Sequence, residues 1–206
     1  MSTLLTLGNR KLGPTIWHFD LPAGPSCPGK SKFCFAVCYA KKGHYVFPNV
    51  AGKYAANLEL WRQNPAKLER LLSAELDVLA AGTVIRLHTS GDFVSAGYVT
   101  LWSRLAATHP DLTFYGYTRS WRIASILPAL DILRSLPNVT LWASTDPTMP
   151  APPSDWPVTK IVPTFADAPG IAHCPEQTGQ RKNCADCGLC WNVNLRTSAK
   201  LAFKLH

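Results

Sequence analysis

Between residues 84 and 163, runs of β-branched, apolar and aromatic residues alternate with stretches of helical periodicity, and this alternation restricts the fold more than any other feature of the chain. Residues 84–88 (VIRLH), 112–117 (LTFYGY), 139–143 (VTLWA) and 158–163 read as strands. Residues 95–107 and 121–136 read as helices, the second with Pro128 inside it. Upstream, residues 15–21 (TIWHFDL) read as a further strand, 33–39 as a helical turn, and 54–79 as a helical stretch interrupted near Pro65. Strand–helix–strand order predicts parallel pairing, because a crossover helix returns the chain in its original direction. A complete eight-stranded barrel takes about 250 residues, and this chain has 206. The expected fold is therefore α/β: a partial (β/α) barrel of about five to six parallel strands over residues 1–170, with a cysteine-rich C-terminal extension over residues 171–206.

Each expected strand runs into polar residues: Thr89-Ser90-Gly91-Asp92, Thr118-Arg119-Ser120, Ser144-Thr145-Asp146, and Thr164 with Asp167. In parallel α/β folds, binding and catalytic groups collect at the C-terminal ends of strands. Short polar residues there also cap the next helix, and Ser95 and Ser120 are placed to do so. Four polar ends together point to one face. Arg119 stands out among them, since a guanidinium fills a core poorly and clamps an anion well.

Seven cysteines fall in two tight groups with some 135 cysteine-free residues between them. An odd number cannot all pair in disulfides, and tight grouping suits metal ligation. Nothing at the N-terminus (MSTLLTLGNRKLGP) resembles a secretory signal, and no apolar run reaches membrane-spanning length. The expected location is the cytoplasm, where thiols stay reduced, with no membrane partner. Cys184, Cys187 and Cys190 form C-x2-C-x2-C, and Cys174-Pro175 lies upstream. Three thiolates at that spacing can wrap three corners of a cubane cluster, with a remote cysteine as the fourth ligand. Zinc knuckles use paired C-x2-C units and leave the third close cysteine unexplained. Cys27, Cys34 and Cys38 supply three thiolates with no clear fourth, although His44 and His18 are nearby. Three ligands on a four-iron cluster leave one coordination position open, as catalytic metal sites do.

The net charge is +8, from 21 Lys and Arg against 13 Asp and Glu. Lys30, Lys32, Lys41 and Lys42 flank the first cysteine group, and Arg181, Lys182, Arg196 and Lys200 flank the second. This excess has two readings: compensation of anionic clusters, or recognition of a nucleic acid or other anionic substrate.

Three cysteines in the loop after the first strand of a partial barrel resemble the radical S-adenosylmethionine (radical SAM) superfamily. That resemblance implies a 4Fe-4S cluster on Cys27, Cys34 and Cys38, with SAM bound at its open iron. The superfamily's glycine-rich motif at the second strand end has its analogue here in Ser90-Gly91-Asp92, which implies that these residues contact the SAM amine. Arg119, Tyr115, Tyr117 and Trp142 would line the substrate chamber, with Asp92 and Arg119 as the reactive-site residues. A C-terminal auxiliary cluster would sit on Cys174, Cys184, Cys187 and Cys190, and a reductant protein would supply electrons. The gaps here, C-x6-C-x3-C, differ from the usual C-x3-C-x2-C. The whole chain is also similar to uncharacterised phage- and plasmid-encoded proteins, through Lys11 to Pro14, Cys38 to Ala40, His88 to Phe93, Cys174 to Gly179 and Cys184 to Trp191. The alternative expectation is a non-enzymatic iron–sulfur or zinc protein that binds nucleic acid or a partner, or carries electrons.

Overall fold

The computed structural model describes residues 3–197 and 199–205. Among the described residues, eight strands form one sheet: β1 (Thr6–Asn9), β2 (Gly13–Phe19), β3 (Val84–Leu87), β4 (Thr113–Thr118), β5 (Val139–Thr145), β6 (Val158–Val162), β7 (Ala172–His173) and β8 (Lys200–Lys204). Their order in space is β1-β2-β3-β4-β5-β6-β8-β7. β1 and β2 are antiparallel, and every other neighbouring pair is parallel. The strand order follows the chain as far as β6, as consecutive β/α units require. β1 and β7 end the sheet, which is therefore open. Three strands escape the sequence reading. β1 (TLGN) lacks an apolar alternation, β7 has two residues, and β8 (KLAFK) follows a cysteine-rich loop with no preceding crossover helix.

The helices are α1 (Lys32–Ala36), α2 (Pro48–Gln63), α3 (Pro65–Leu76), α4 (Ala96–Thr108), α5 (Leu127–Ser135) and α6 (Cys184–Cys187). Proline sets several boundaries. Pro48 and Pro65 open α2 and α3, and the Asn64 side chain caps α3 by accepting from Lys67 N. The single helix expected over 121–136 splits into a 3₁₀ turn (Ser120–Arg122) and α5, because Pro128 has no N–H to donate and fits only a first turn. Ser95 caps α4 by accepting from Tyr98 N. No helix among the described residues is long and apolar enough to cross a membrane.

Strand side chains alternate between the two faces of the sheet. Phe19, Ile85, Leu87, Phe114 and Leu141 join Trp102, Tyr98, Leu72 and Leu130 of α3–α5 in the main core. The opposite face carries Ile16, Tyr115 and Trp142, which pack with Leu12, Cys190 and Leu201 and are flanked by Leu189 and Trp191. The C-terminal segment thus covers this face in place of helices. It crosses from β7 to the β1–β2 turn, where Cys184 N and Ala185 N donate to the carbonyls of Lys11 and Leu12 at 2.8 and 3.0 Å. An ion pair between Lys11 and Glu176 at 3.4 Å joins the same elements.

Candidate functional site

A cavity of about 790 Å³ opens where β3, β4 and β5 end, and all seven cysteines line it. None forms a disulfide: Cys174 and Cys190 are buried and the other five half-buried. Two groups far apart in sequence therefore share one chamber.

The N-terminal group sits in the loop between β2 and α2, which the strand ends hold in place. Ser31 Oγ accepts from Cys34 N at 2.8 Å, capping α1, and donates to Asp146 at 2.7 Å. Asp146 lies just past β5 and is itself fixed by Thr148 N and Oγ1. Gly29 packs so closely on the backbone after β4 that a Cβ there would lie 2.1 Å from Arg119 O. α1 stops at Ala36, so Cys38 begins the next 3₁₀ turn and does not share a helix with Cys34.

On the opposite wall, α6 presents Cys184 and Cys187, and Asn183 caps it by accepting from Asp186 N at 2.9 Å. Gly188 adopts the left-handed conformation (φ +69°) that turns the chain toward Cys190. Trp142 Nε1 donates to Cys190 O at 2.8 Å, tying this turn to β5. Cys174 follows β7 and donates its N–H to Ala202 O.

Two buried carboxylates organise the floor. Asp20, after β2, accepts from Thr89 N, Thr89 Oγ1 and Ser90 N, and pairs with His18 Nδ1. Burial by itself raises the Asp20 pKa, but the hydrogen bond and charge of His18, with Thr89 and Ser90, outweigh it and hold the carboxyl at about 2. A depressed acid stabilises the fold above its ordinary pKa of 3.8, and that stabilisation disappears as pH falls through about 2. The unfolding free energy is therefore expected to drop between about pH 4 and pH 2 by on the order of 2 kcal/mol, lowering the thermal midpoint, and Asp20→Asn should lack this drop. Parallel scanning-calorimetry profiles of wild type and variant would refute this assignment.

Asp92 is the second. Its Oδ1 accepts from Phe93 N (2.7 Å) and Thr118 Oγ1 (2.6 Å), and its Oδ2 from Arg119 N (2.9 Å). Gly91 (φ +86°) makes the preceding turn, and a Cβ there would meet Ser26 Oγ at 2.6 Å and Leu21 O at 2.8 Å. His88 is also left-handed (φ +66°), and burial lowers its pKa to about 4, which keeps it neutral beside Tyr98.

Each cysteine group has a cationic neighbour. The Arg119 guanidinium is 3.6 Å from Asp146, and its Nε and Nη2 are buried with no hydrogen-bond acceptor among the described residues. Arg86, in β3, is buried, lies over the Tyr117 ring at 4.7 Å and has no carboxylate ion pair among the described residues. Burial raises the Cys34 pKa and Arg119 opposes it; burial raises that of Cys184 and Arg86 opposes it. Burial pushes Cys27 and Cys190 up to about 12. With protonated thiols, Arg119 is still paired with Asp146, and Arg86 carries a positive charge that no carboxylate ion pair among the described residues offsets. Metal-bound thiolates would neutralise it, so the donor set fits an anionic metal cluster. Among the described residues, no three His, Cys, Asp or Glu converge tightly enough to hold one metal ion.

Ser90, Gly91, Asp92, Arg119, Tyr117 and His44 all line the cavity. Tyr115 and Trp142 do not: they are buried beneath it, packed with Leu12, Ile16 and Leu201. His18 is engaged with Asp20 and is not among the lining residues. Arg86 and Asp20 went unnoticed in the sequence. A charge inside VIRLH and an acid directly after TIWHF were the available signals.

The fold and site define an open, mostly parallel α/β protein with a cysteine-lined chamber at its strand ends. The chain belongs to the Gene product 88 family, whose family model matches residues 3–193. It is 31% identical over 198 residues to the Gene 88 protein of Mycobacterium phage L5, covering 84% of this chain and 81% of the relative. The Gene 88 protein of Mycobacterium phage D29 is 31% identical over 199 residues, with the same coverage. The expected likeness to a phage-encoded family thus holds over nearly the whole chain. No solved structure matches it.

Proposed function

We propose that this is an iron–sulfur protein built like the radical SAM enzymes, a partial (β/α) barrel with an open 4Fe-4S site on Cys27, Cys34 and Cys38. An auxiliary cluster would occupy Cys174, Cys184, Cys187 and Cys190. The observation that carries this reading is the meeting of seven unpaired thiols in one chamber whose wall holds the buried Arg86 and the half-buried Arg119. The C-x2-C-x2-C spacing with a remote fourth cysteine suits a cubane cluster better than zinc, whose knuckles use paired C-x2-C units.

Clusters and SAM would supply the reductive cleavage that makes a radical, and the chain's task is to hold, orient and exclude water. Asp92 has one acceptor site left. A carboxylate offers about four lone pairs, and three are used internally. The free position on Oδ2 can take the SAM amine. Asp92→Asn is expected to leave iron content intact and to weaken SAM binding by roughly 1.5–3 kcal/mol, the worth of a charge-assisted hydrogen bond. An unchanged calorimetric Kd would reduce Ser90-Gly91-Asp92 to a helix-entry turn. Dithionite and SAM added to anaerobic protein should yield 5′-deoxyadenosine. The internal engagement of Asp92 also favours a second reading, a non-enzymatic electron carrier, and a failure to form that product in iron-replete protein would select it.

A further inference from the structure

Positive charge predominates around the mouth of the cavity. From Leu21 to Leu58 the chain has no Asp or Glu, and it carries Lys30, Lys32, Lys41, Lys42 and Lys53. The first four are exposed. Among the residues lining the cavity, seven are Lys or Arg and two are Asp or Glu. Both acids are engaged, Glu176 with Lys11 and Asp92 with its three internal donors. Arg86 and Arg119 line the cavity among the thiols, whereas Lys30 lines it near the surface and Lys32 and Lys41 are exposed on the same loop. Across the opening, Arg10 and Lys204 are exposed on the opposite wall.

Exposed aromatic residues interleave with these lysines. Phe35 is 44% exposed and Phe47 57%, and Lys41 Nζ sits over the Phe35 ring at 3.8 Å. A small anion would not use charges spread over so wide a rim. A polyanion would, and flat ring faces among the charges suit unpaired bases, which stack on aromatics without regard to sequence. A duplex hides those base faces. The chamber behind the rim falls within the range that takes a drug-sized ligand, about 300–1,000 Å³.

We infer that the exposed loop beside this mouth binds single-stranded nucleic acid, with Lys30, Lys32 and Lys41 on phosphates and Phe35 and Phe47 under bases, which presents an unpaired nucleotide to the chamber. This names the substrate class of the site proposed above and rests on that reading for any chemistry. The binding itself stands on the surface alone.

Fluorescence anisotropy of the full chain with a labelled oligothymidine strand tests it, alongside a duplex of equal length and phosphatidylserine vesicles. The strand should bind at least about tenfold more tightly than the duplex, with log K falling as log salt rises. Lys32→Glu with Lys41→Glu should weaken strand binding about tenfold or more and reduce the salt slope by about 1.4, the contribution of two phosphate contacts on a single strand. Phe47→Ala should weaken strand binding about fivefold or more, the effect of one lost stack, and leave duplex binding unchanged. Lys67→Glu with Arg70→Glu, the same charge change on α3 away from the mouth, should move affinity less than twofold. Equal binding of duplex and strand, an equal loss in the α3 variant, or binding to vesicles alone would each overturn the inference. Iron-replete protein that ignores the strand would sink this inference and leave the cluster reading standing. Strand binding by protein that never takes up iron would do the reverse.

Discussion

Gly29→Ala is expected to lower the thermal midpoint by roughly 6–12 °C and, on the cluster proposal, to cost the N-terminal group its iron. The effect follows from contact with backbone. An added Cβ would lie 2.1 Å from Arg119 O, 2.3 Å from Arg119 C and 2.7 Å from Ser120 N. None of these is the end of a flexible side chain, so relief requires moving either the cysteine loop or the end of β4. Overpacking of this kind costs about 3 kcal/mol, near the top of its usual range, and about 2–4 °C accompanies each kcal/mol in a chain this size. The loop is the softer partner. Its shift would carry Ser31 away from Asp146 and with it the α1 cap that sets Cys34. Gly52→Ala is the control: it lies within α2 with nothing within 4 Å of its new Cβ, and should be neutral or stabilising by up to about 1 kcal/mol. Differential scanning calorimetry of the two variants decides the matter, and equal midpoints would show that the loop is not clamped at Gly29.

Cys187→Ser should have a broader effect, losing about half of the iron and loosening the face opposite the helices. The segment carrying Cys184, Cys187 and Cys190 covers Tyr115 and Trp142 and is tied down by a small set of polar attachments beside its apolar packing. They include two amides on the β1–β2 turn, the Lys11–Glu176 pair and the Trp142–Cys190 hydrogen bond. Where no preformed site exists in the unfolded chain, binding energy of the metal becomes folding energy. Losing one of the four proposed ligands should therefore expose Trp142 and Trp191, visible as a red shift and quenching of tryptophan fluorescence together with a lower midpoint. A variant with full iron and an unchanged spectrum would exclude Cys187 as a ligand.

The central strands were legible because each is an apolar run bounded by turn residues, and β2 to β6 lie within a few residues of their expected positions. The polar strand ends were legible for the same reason. β8 could not be read: KLAFK resembles any mixed pentapeptide until β6 and β7 lie beside it. Arg86 was hidden by its neighbours, since Ile85 and Leu87 point into the main core while the residue between them faces the chamber. Asp20 obeys the strand-end rule that exposed Asp92, but the aromatic run before it hid the boundary. The union of the two cysteine groups is a property of topology. Spacing identifies each group separately, and only the return of the C-terminal segment to the β1–β2 turn brings Cys184 and Cys27 to the same cavity.

The most direct measurement is iron, zinc and acid-labile sulfide per chain in anaerobically purified protein, read with its visible spectrum. The account predicts brown protein with broad absorption and about eight iron and eight sulfide per chain, the content of two four-iron clusters, falling by about half in either Cys34→Ala or Cys187→Ser. Colourless protein that carries zinc and no sulfide would contradict it.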